Sequence, residues 1–418
     1  MKRTLLWLLA LILFGACQKH ESVGLKQDDL QPNNEYCVSE EDAVARALTA
    51  IAQVEGETAS RADVTRRLKQ IQRVRSSALT RSAEDIAELF YLVNFADDQG
   101  YALVAADERM TDVYMMSETG NLDLDKVDPQ SGLSYFLERA VTYGHGEIID
   151  SLPTLPGFGN GDEMFDPNDS ISRIIPEEYN GRWYHVYRRR TTIQGNALLS
   201  TLWSQGGPYN GNCPVMANGS RAYAGCVAIA MAQIMAYHRY PNSAFGHSYN
   251  WDAMLFSSIV WDSNPDGVAS VANLVRDIGT SVNMTYNVDG QGKSTANTSN
   301  IANGFRQFGY SADDLCNYNF NFVRQNIDAA CPVFVGANSS TGIGHAWVVD
   351  AYKYEQCEAL YYSVETKEYC FTRNEGNQNI MVSCNWGTGV SDAWLLSGVF
   401  DNTFNVSPSM VKNIRPNI

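Results

Sequence analysis

A glycine and a cysteine that lead directly into a long apolar run constrain this chain more than any other feature. Gly225 and Cys226 precede residues 227–238, a stretch without proline or glycine that is rich in alanine and methionine. Strong helix formers predict a helix here, and because nearly every face is apolar, that helix should be buried. Cys226 would then lie in the first turn, where unpaired backbone N–H groups and the helix dipole favour a thiolate. It is therefore a candidate nucleophile; the alternative is a buried free thiol that packs as a small hydrophobe.

A cysteine nucleophile needs a base, and histidine is the side chain that titrates near neutral pH. Three of the six histidines, His238, His247 and His345, lie in the second half of the chain. His238 is twelve residues along the predicted helix, roughly 18 Å from the thiol at about 1.5 Å per residue, so we expect it to complement the C-terminus of the helix instead. His247 lies in a loop without residues to orient it. His345 follows a glycine-rich loop and opens an apolar strand, which would fix its ring and let a substrate backbone approach.

Asn385 and Trp386 complete a candidate catalytic arrangement with Cys226 and His345. A side-chain amide can orient an imidazole, and an indole above it can shield that contact from water. Cysteine, histidine and asparagine form the arrangement of many thiol proteases, which is recognised by roles and not by chain order. The alternative interpretation is an asparagine in a turn beside a tryptophan of the core.

The motifs around these residues resemble those of the streptopain family of papain-like cysteine peptidases, over residues 190–418. The resemblance is carried by LWSQGGPYN (202–210), CP (213–214), GCVA (225–228), AQIMAYHRYP (232–241), GHAWVVD (344–350) and NWG (385–387). It implies an α+β papain-like domain, in which a central helix with the nucleophile packs on an antiparallel sheet. It also implies a cysteine endopeptidase that acts on proteins or peptides without a cofactor or a metal.

The resemblance also assigns roles to the residues that match the motifs. Cys226 would be the nucleophile and His345 the general acid and base. Gln205 would donate a hydrogen bond to the oxyanion together with the backbone N–H of Cys226. Asn385 and Trp386 would orient and cover His345.

Two further matches concern the substrate. Ser294 and Gly344 correspond to positions that contact the substrate backbone in the family. The chain departs from the pattern at Thr388, where relatives usually carry a second tryptophan, so we expect one wall of the site to be more open.

Residues 37–150 are predicted to form a small α+β domain without chemistry of its own. Ser39 is a good N-cap for an amphipathic helix, and apolar strands at 89–93 and 101–106 flank a turn, which indicates a hairpin. The domain contains His145 but no candidate nucleophile. Its hairpin resembles the inhibitory prosegment of streptopain-type enzymes, which implies that the chain's own prosegment is an intramolecular inhibitor.

The first residues predict export. Lys2 and Arg3 precede an apolar run that is too short to span a membrane, and small residues then lead to Cys17. This pattern resembles a bacterial lipobox, which implies a signal peptide over residues 1–16, lipidation of Cys17 and a polar tether over residues 17–36. The alternative is a plain signal peptide that contains a cysteine.

The net charge of −16 argues against nucleic acid or an anionic membrane as a partner. We therefore expect membrane contact only through the lipid, at the outer membrane or the cell surface.

Residues 151–190 are predicted to be an irregular linker, because they are rich in proline and glycine. They end in Arg188, Arg189 and Arg190, which we interpret as an activation cleavage region; a solvated run of charge is the alternative. The peptidase domain is then expected over residues 191–418.

Export into an oxidising compartment makes the other cysteines candidates for disulfides. Without Cys17 and Cys226, seven of the nine cysteines remain, an odd number that cannot pair completely within one chain. Cys357 and Cys370 bracket an apolar segment and could staple a hairpin; buried free thiols are the alternative.

The sequence gives no support to several other catalytic classes. It has no H-E-x-x-H or C-x-x-C motif for zinc and no G-x-S-x-G elbow for a serine hydrolase, and GKST at 292–295 lacks the first glycine of a phosphate-binding loop. The remaining rival is a catalytically silent surface lipoprotein that uses the same fold as a binding module. Such a module has no reason to keep the four catalytic side chains, so we expect a secreted, lipid-anchored cysteine endopeptidase made as a zymogen and working through a Cys226 thioester.

Overall fold

One antiparallel sheet runs through the N-terminal and C-terminal parts of the chain in the computed structural model. The structure describes residues 36–55, 66–74, 88–127, 131–151, 175–338, 344–388, 393–400 and 408–418. Within these ranges the strands are β1 (Leu68–Val74), β2 (Phe90–Phe95), β3 (Tyr101–Ala105), β4 (Val113–Ser117), β5 (Ile175–Tyr179), β6 (Arg182–Gly195), β7 (Ser243–Ala244), β8 (His247–Ser248), β9 (Tyr310–Ser311), β10 (Cys316–Asn317), β11 (Val333–Asn338), β12 (Gly344–Ser363), β13 (Tyr369–Asn385), β14 (Ala393–Leu396), β15 (Ser409–Val411) and β16 (Arg415–Pro416). The helices are α1 (Glu40–Glu55), α2 (Gly132–Ser151), α3 (Cys226–His238), α4 (Trp251–Met254), α5 (Pro265–Ser281), α6 (Ile301–Gln307) and α7 (Phe320–Asp328).

Twelve of the described strands form the main sheet, in the order β1-β2-β3-β4-β14-β13-β12-β11-β15-β10, with β6 paired to β12 and β5 paired to β6. The N-terminal strands join the C-terminal strands through β4 and β14. There Met116 lies opposite Trp394, and Met115 lies opposite Leu395. The predicted prosegment and the predicted peptidase therefore share one hydrogen-bonded sheet.

Helices cover both faces of this sheet, and the alternating side chains of β12 show which helix packs on each face. Successive side chains of a strand point to opposite faces. Ala346 and Val348 pack in one apolar cluster with the residues of α3, whereas Trp347 and Val349 pack in another with the residues of α2. The nucleophile helix therefore lies on one face of β12 and a helix of the N-terminal domain on the other. This architecture confirms the predicted α+β class.

The first helix and the hairpin of the N-terminal part form as the sequence predicts. The side-chain oxygen of Ser39 accepts a hydrogen bond from the backbone N–H of Asp42 at 3.1 Å, so it caps α1. The apolar side of α1, including Ile51, is buried against the strands of the predicted hairpin. Those strands are β2 and β3, with Phe90 opposite Ala105.

The expectation of an irregular linker over residues 151–190 is wrong for residues 175–190. These residues form β5 and most of β6, and β6 pairs with β12 from Gly195 opposite Tyr352 to Tyr184 opposite Ser363. The partner strand β12 lies far away in the sequence, so local composition could not reveal it. Residues 152–174 lie outside the described residues.

The three arginines of the expected cleavage region lie inside β6. Their guanidinium groups are within ion-pair distance of glutamates on β12 and β13, namely Arg188 with Glu375 at 2.9 Å, Arg189 with Glu358 at 2.7 Å and Arg190 with Glu355 at 3.7 Å. Because the backbone around them is paired with β12, a protease could cut here only after the strand has detached.

The proposed disulfide between Cys357 and Cys370 is wrong. Cys357 lies opposite Gly376 in the register of β12 and β13, whereas Phe371, next to Cys370, lies opposite Tyr361. The two cysteines are therefore several residue pairs apart along the ladder, beyond disulfide reach. All eight cysteines of the described residues are free thiols, but only four of them, Cys213, Cys331, Cys357 and Cys384, are buried as the alternative interpretation predicts.

None of the helices within the described ranges is long and apolar enough to cross a membrane. Residues 1–35, which include the predicted signal peptide, Cys17 and nearly all of the tether, lie outside the described residues.

Candidate active site

Cys226 is the first residue of α3, as the sequence predicts. The preceding Gly225 has a φ of +89°, a region of backbone space that favours glycine. A side chain at this glycine would also meet the end of Met284 at 2.9 Å. Residues 227–236 of α3 are all buried, whereas Cys226 itself is half-buried at the end of the helix. The turn at Gly225 therefore places the thiol at the edge of the core.

The structure brings Cys226 and His345 together. His345 is the second residue of β12 and is 7% exposed, and its ring forms a hydrogen bond with the thiol. Burial raises the pKa of the Cys226 thiol, but the charge of the His345 ring and its hydrogen bond lower that pKa, as do the backbone N–H groups of Ala346 and Val227. The lowering effects win, so the pKa of Cys226 lies below that of an ordinary cysteine. The pair therefore favours a thiolate beside an imidazolium.

The ring of His345 is held by its surroundings on the face of the sheet that carries α2. Its Nε2 lies 3.1 Å from the backbone oxygen of Trp386, and because a carbonyl can only accept, Nε2 donates in this contact. The ring stacks on Trp347 with a centroid distance of 6.4 Å, and the ring of Trp386 lies 6.2 Å away. Trp386 thus lies beside His345.

The side chain of Asn385 makes its hydrogen bonds elsewhere, and Nε2 of His345 donates to the carbonyl of Trp386, so the expectation that the Asn385 amide orients the ring directly is wrong. Its Oδ1 accepts hydrogen bonds from Gln233 at 2.8 Å and from the backbone N–H of Gly387 at 3.1 Å. Its Nδ2 donates to the backbone oxygen of Thr201 at 2.7 Å. The amide is used to hold the turn that follows β13, and the backbone of that turn reaches His345 instead.

The other predicted site residues lie around the same thiol. The backbone oxygen of Gln205 accepts a hydrogen bond from the N–H of Ala224 at 2.9 Å, which places Gln205 beside the turn that precedes Cys226. Ser294 is buried, and its Cβ would lie 3.5 Å from a Cβ added at Gly225. Its hydroxyl donates a hydrogen bond to the backbone oxygen of Tyr223 at 2.6 Å. Gly344 is exposed and immediately precedes His345. Gln205 and Ser294 therefore lie beside the turn that precedes Cys226, and Gly344 adjoins His345 in the chain.

Two histidines lie outside the site, as predicted. His238 ends α3, and its Nε2 lies 3.2 Å from the backbone oxygen of Ile414. His247 is paired with Asp277 through a contact of 2.9 Å. The prediction that His247 has no residue to orient it is wrong, because α5 supplies that carboxylate.

The N-terminal domain reaches the catalytic pair through the first residue of α2. A side chain at the buried Gly132 would meet the ring of Trp386 at 2.1 Å and the Cδ2 of His345 at 2.7 Å. Farther along α2, Tyr135 and Phe136 pack in the same cluster as Trp347 and Trp386. Gly132 carries no signal of this contact in the sequence, because nothing nearby shows that it lies against a histidine more than 200 residues away.

Among the described residues, no group of histidine, cysteine, aspartate and glutamate side chains is arranged to hold a metal ion.

A thiolate at the start of a buried helix, paired with a histidine on an antiparallel strand, defines the class of papain-like cysteine peptidases. Comparison with known proteins agrees: residues 203–395 match the Peptidase C10 family, and residues 35–142 match the Spi protease inhibitor family. The chain therefore carries a streptopain-like Peptidase C10 domain that is preceded by an inhibitor-type prosegment, which confirms the resemblance seen in the sequence.

Individual relatives support the same assignment. The chain is 28% identical over 312 residues to the thiol protease/hemagglutinin PrtT of Porphyromonas gingivalis, which covers 67% of this chain but only 33% of PrtT. It is 29% identical over 325 residues to streptopain of Streptococcus pyogenes, which covers 65% of this chain and 73% of streptopain. The chain thus spans about a third of the length of the first relative.

A solved structure shares the fold. The prointerpain A fragment of Prevotella intermedia aligns with a TM-score of 0.51 at 18% sequence identity, over 79% of this chain and 96% of that fragment.

Alkylation of Cys226 should report the pairing with His345. We expect iodoacetamide to modify Cys226 at pH values well below those at which an ordinary thiol reacts. In a His345→Ala variant Cys226 stays buried but loses the compensating charge of the histidine ring. The pH of half-maximal alkylation of Cys226 should therefore move upward by about 1–3 pH units. Peptide mass spectrometry between pH 5 and 10 measures both rates. Cys316, whose pKa is raised by burial, serves as the internal control and should be unaffected. An unchanged profile in the variant would contradict the pairing.

Gly132 offers a direct test of the contact between α2 and the catalytic pair. A Gly132→Ala change should push the start of α2 away from His345 and Trp386, because the overpacking costs about 1–3 kcal/mol. We expect labelling of Cys226 in the precursor by an epoxysuccinyl peptide to accelerate by roughly 5- to 150-fold. Gly146→Ala is the matched control, since a side chain there meets nothing within 4 Å on the same helix. Equal labelling of both variants and the unaltered precursor would refute this contact.

Proposed function

We propose that this chain is the precursor of an exported cysteine endopeptidase, in which residues 37–150 inhibit the peptidase domain of residues 191–418. The observation that carries the proposal is the contact between Cys226 and His345 beneath the buried start of α2. The lowered pKa of the thiol supports catalysis, and Gly132 against the histidine ring supports inhibition. Protein or peptide chains are the substrates.

The roles implied by the resemblance to the family define the proposed catalytic steps. The Cys226 thiolate attacks the carbonyl carbon of a peptide bond, and the electron pair of the C=O bond moves to its oxygen. The side chain of Gln205 and the N–H of Cys226 stabilise that oxyanion, and losing one such donor typically costs about 3–4 kcal/mol. His345 then protonates the leaving amine as the C–N bond breaks, which leaves a thioester on Cys226.

Water completes the cycle. His345, now neutral, takes a proton from a water molecule that attacks the thioester, and the Cys226 thiolate leaves. Trp386 shields the ring of His345, while Ser294 and Gly344 bind the backbone of the substrate beside the thiol. Asn385 contributes through the turn that carries the Trp386 carbonyl and not through the ring itself.

The prosegment inhibits by covering this site. The start of α2 occupies the space beside His345, and the side chains of α2 share one apolar core with Trp347 and Trp386. Removal of the prosegment therefore has to open that core as well as break the β4 and β14 ladder. Because Arg188–Arg190 are paired within β6, we expect the activating cut to fall elsewhere unless β6 detaches first.

Export and lipid anchoring form the second part of the proposal. The basic residues, the apolar run and the small residues before Cys17 support a signal peptide that is removed and a lipid on the new N-terminus. The negative net charge supports attachment through the lipid alone and not through a basic surface.

Self-processing tests the peptidase proposal. The purified full chain, incubated with denatured protein under reducing conditions, should cleave the substrate and release its own prosegment, whereas Cys226→Ser should do neither. An epoxysuccinyl peptide should label Cys226 once the prosegment is gone. Sequencing the new N-terminus locates the activating cut. A Cys226→Ser precursor that matures without added protease would contradict self-processing, and an unaltered chain that folds but cleaves nothing would favour a silent binding module.

Cys17 tests the anchor. In a bacterial host that lipidates exported proteins, the unaltered chain should partition into detergent and carry a lipid mass on Cys17, because two or three acyl chains bind membranes stably. Cys17→Ser should move the protein to the aqueous phase without changing the cleavage of peptides by Cys226. Cys37→Ser is the matched control and should keep the lipid. Detergent partitioning of Cys17→Ser equal to that of the unaltered chain would exclude this anchor.

A further inference from the structure

Gln233 is a buried amide inside the apolar nucleophile helix. It is 0% exposed and lies seven residues after Cys226, two turns along the same face of α3. Burying an amide is costly unless its donors and acceptors find partners. A polar residue within such an apolar run therefore needs a structural reason, and its contacts provide one.

The Oε1 atom of Gln233 holds the segment that leads to Gln205. It accepts hydrogen bonds from the backbone N–H of Trp203 at 3.1 Å and from the hydroxyl of Thr201 at 3.1 Å. Gln205 follows two residues after Trp203. The predicted oxyanion donor is thus fastened to the helix that carries the nucleophile.

The Nε2 atom of Gln233 holds the turn that contacts His345. It donates to Oδ1 of Asn385 at 2.8 Å, and Asn385 donates back to the backbone oxygen of Thr201 at 2.7 Å. The same Oδ1 accepts from the N–H of Gly387 at 3.1 Å, so the peptide unit between Trp386 and Gly387 is fixed. The carbonyl of Trp386 then accepts from the ring of His345 at 3.1 Å.

From these contacts we infer that Gln233 is a positioning residue that sets the oxyanion segment and the His345 turn relative to Cys226. The inference rests on the proposed peptidase function. The oxyanion segment lies about 30 residues before Gln233 in the sequence, and the turn that contacts His345 lies about 150 residues after it. The Gln233 amide contacts both of them from the helix that carries Cys226.

An amide is required because the two ends of the side chain have opposite roles. A Gln233→Glu variant keeps the shape but places an acceptor oxygen opposite the acceptor Oδ1 of Asn385. Asn385 would then have to rotate, which would present its NH₂ group to the N–H of Gly387 and its oxygen to the carbonyl of Thr201. A Gln233→Leu variant keeps most of the volume and removes all three hydrogen bonds.

The test compares these two variants with the unaltered chain and with Asn326→Asp. Asn326 is a matched control because it is a buried amide, 3% exposed on α7, whose side chain donates to Phe322 and accepts from Asn413 away from the site. We expect kcat of the activated Gln233 variants to fall by about 100-fold with KM nearly unchanged, since a displacement of about 1 Å in a catalytic group has this effect. Asn326→Asp should lower the melting temperature without this change in kcat.

A second readout does not depend on turnover. The half-maximal pH of Cys226 alkylation should move upward in both Gln233 variants, because a displaced ring stabilises the thiolate less, and it should stay unchanged in Asn326→Asp.

If the Gln233 variants do not fold, Thr201→Val removes one of the three bonds and should lower kcat by several-fold with KM unchanged. The inference is overturned if the folded variants lose only thermal stability and keep both kcat and the alkylation profile. If the unaltered chain shows no peptidase activity, the proposed function fails, while the alkylation profile still decides the role of Gln233.

Discussion

The contact between the Cys226 thiol and the His345 ring is the interaction on which the rest of the structure depends. The two residues are more than 100 positions apart in the chain, and the fold must bring the end of a helix to the start of a strand to join them. Burial alone would keep the thiol protonated, since it raises the pKa of a cysteine. The histidine charge and two backbone N–H groups reverse that effect. The turn at Gly225 and the apolar packing of α3 position the thiol. The alternation of side chains along β12 positions the ring of His345.

The N-terminal domain is attached to the peptidase through the same elements that build the site. β4 extends the sheet at β14, and α2 packs into the cluster that contains Trp347 and Trp386. Fully buried side chains such as Phe136 and Leu137 each contribute about 1.5–3 kcal/mol of apolar burial. The proposed inhibitor is therefore held by an extended core and a strand ladder, so we expect its release to be a cooperative opening of the sheet and not the loss of a few surface contacts.

Local signals predicted much of this structure. The Ser39 cap, the β2 and β3 hairpin, helix α3 and the choice of His345 over His238 each depend on residues close together in the sequence. The errors arose where a distant segment supplies the partner. Residues 175–190 look irregular from their local sequence but form strands because β6 pairs with β12. Asn385 lies near His345 in the fold, but its side-chain amide forms hydrogen bonds with Gln233 and Thr201 instead. Gln233 itself had a signal in the sequence, since it is a polar residue within a run that is apolar on every side.

A zymogen has to build its catalytic pair and also keep substrate away from it, and different contacts are involved in these two tasks here. The start of α2 lies against the rings of His345 and Trp386. The pKa of Cys226 is lowered while the prosegment is still in place, so the catalytic pair forms before activation. In the proposed zymogen, inhibition then comes from the prosegment covering the site, since the start of α2 lies against His345 and Trp386. On this proposal the catalytic side chains need no rearrangement of their own, and opening the shared core is the step that controls activity.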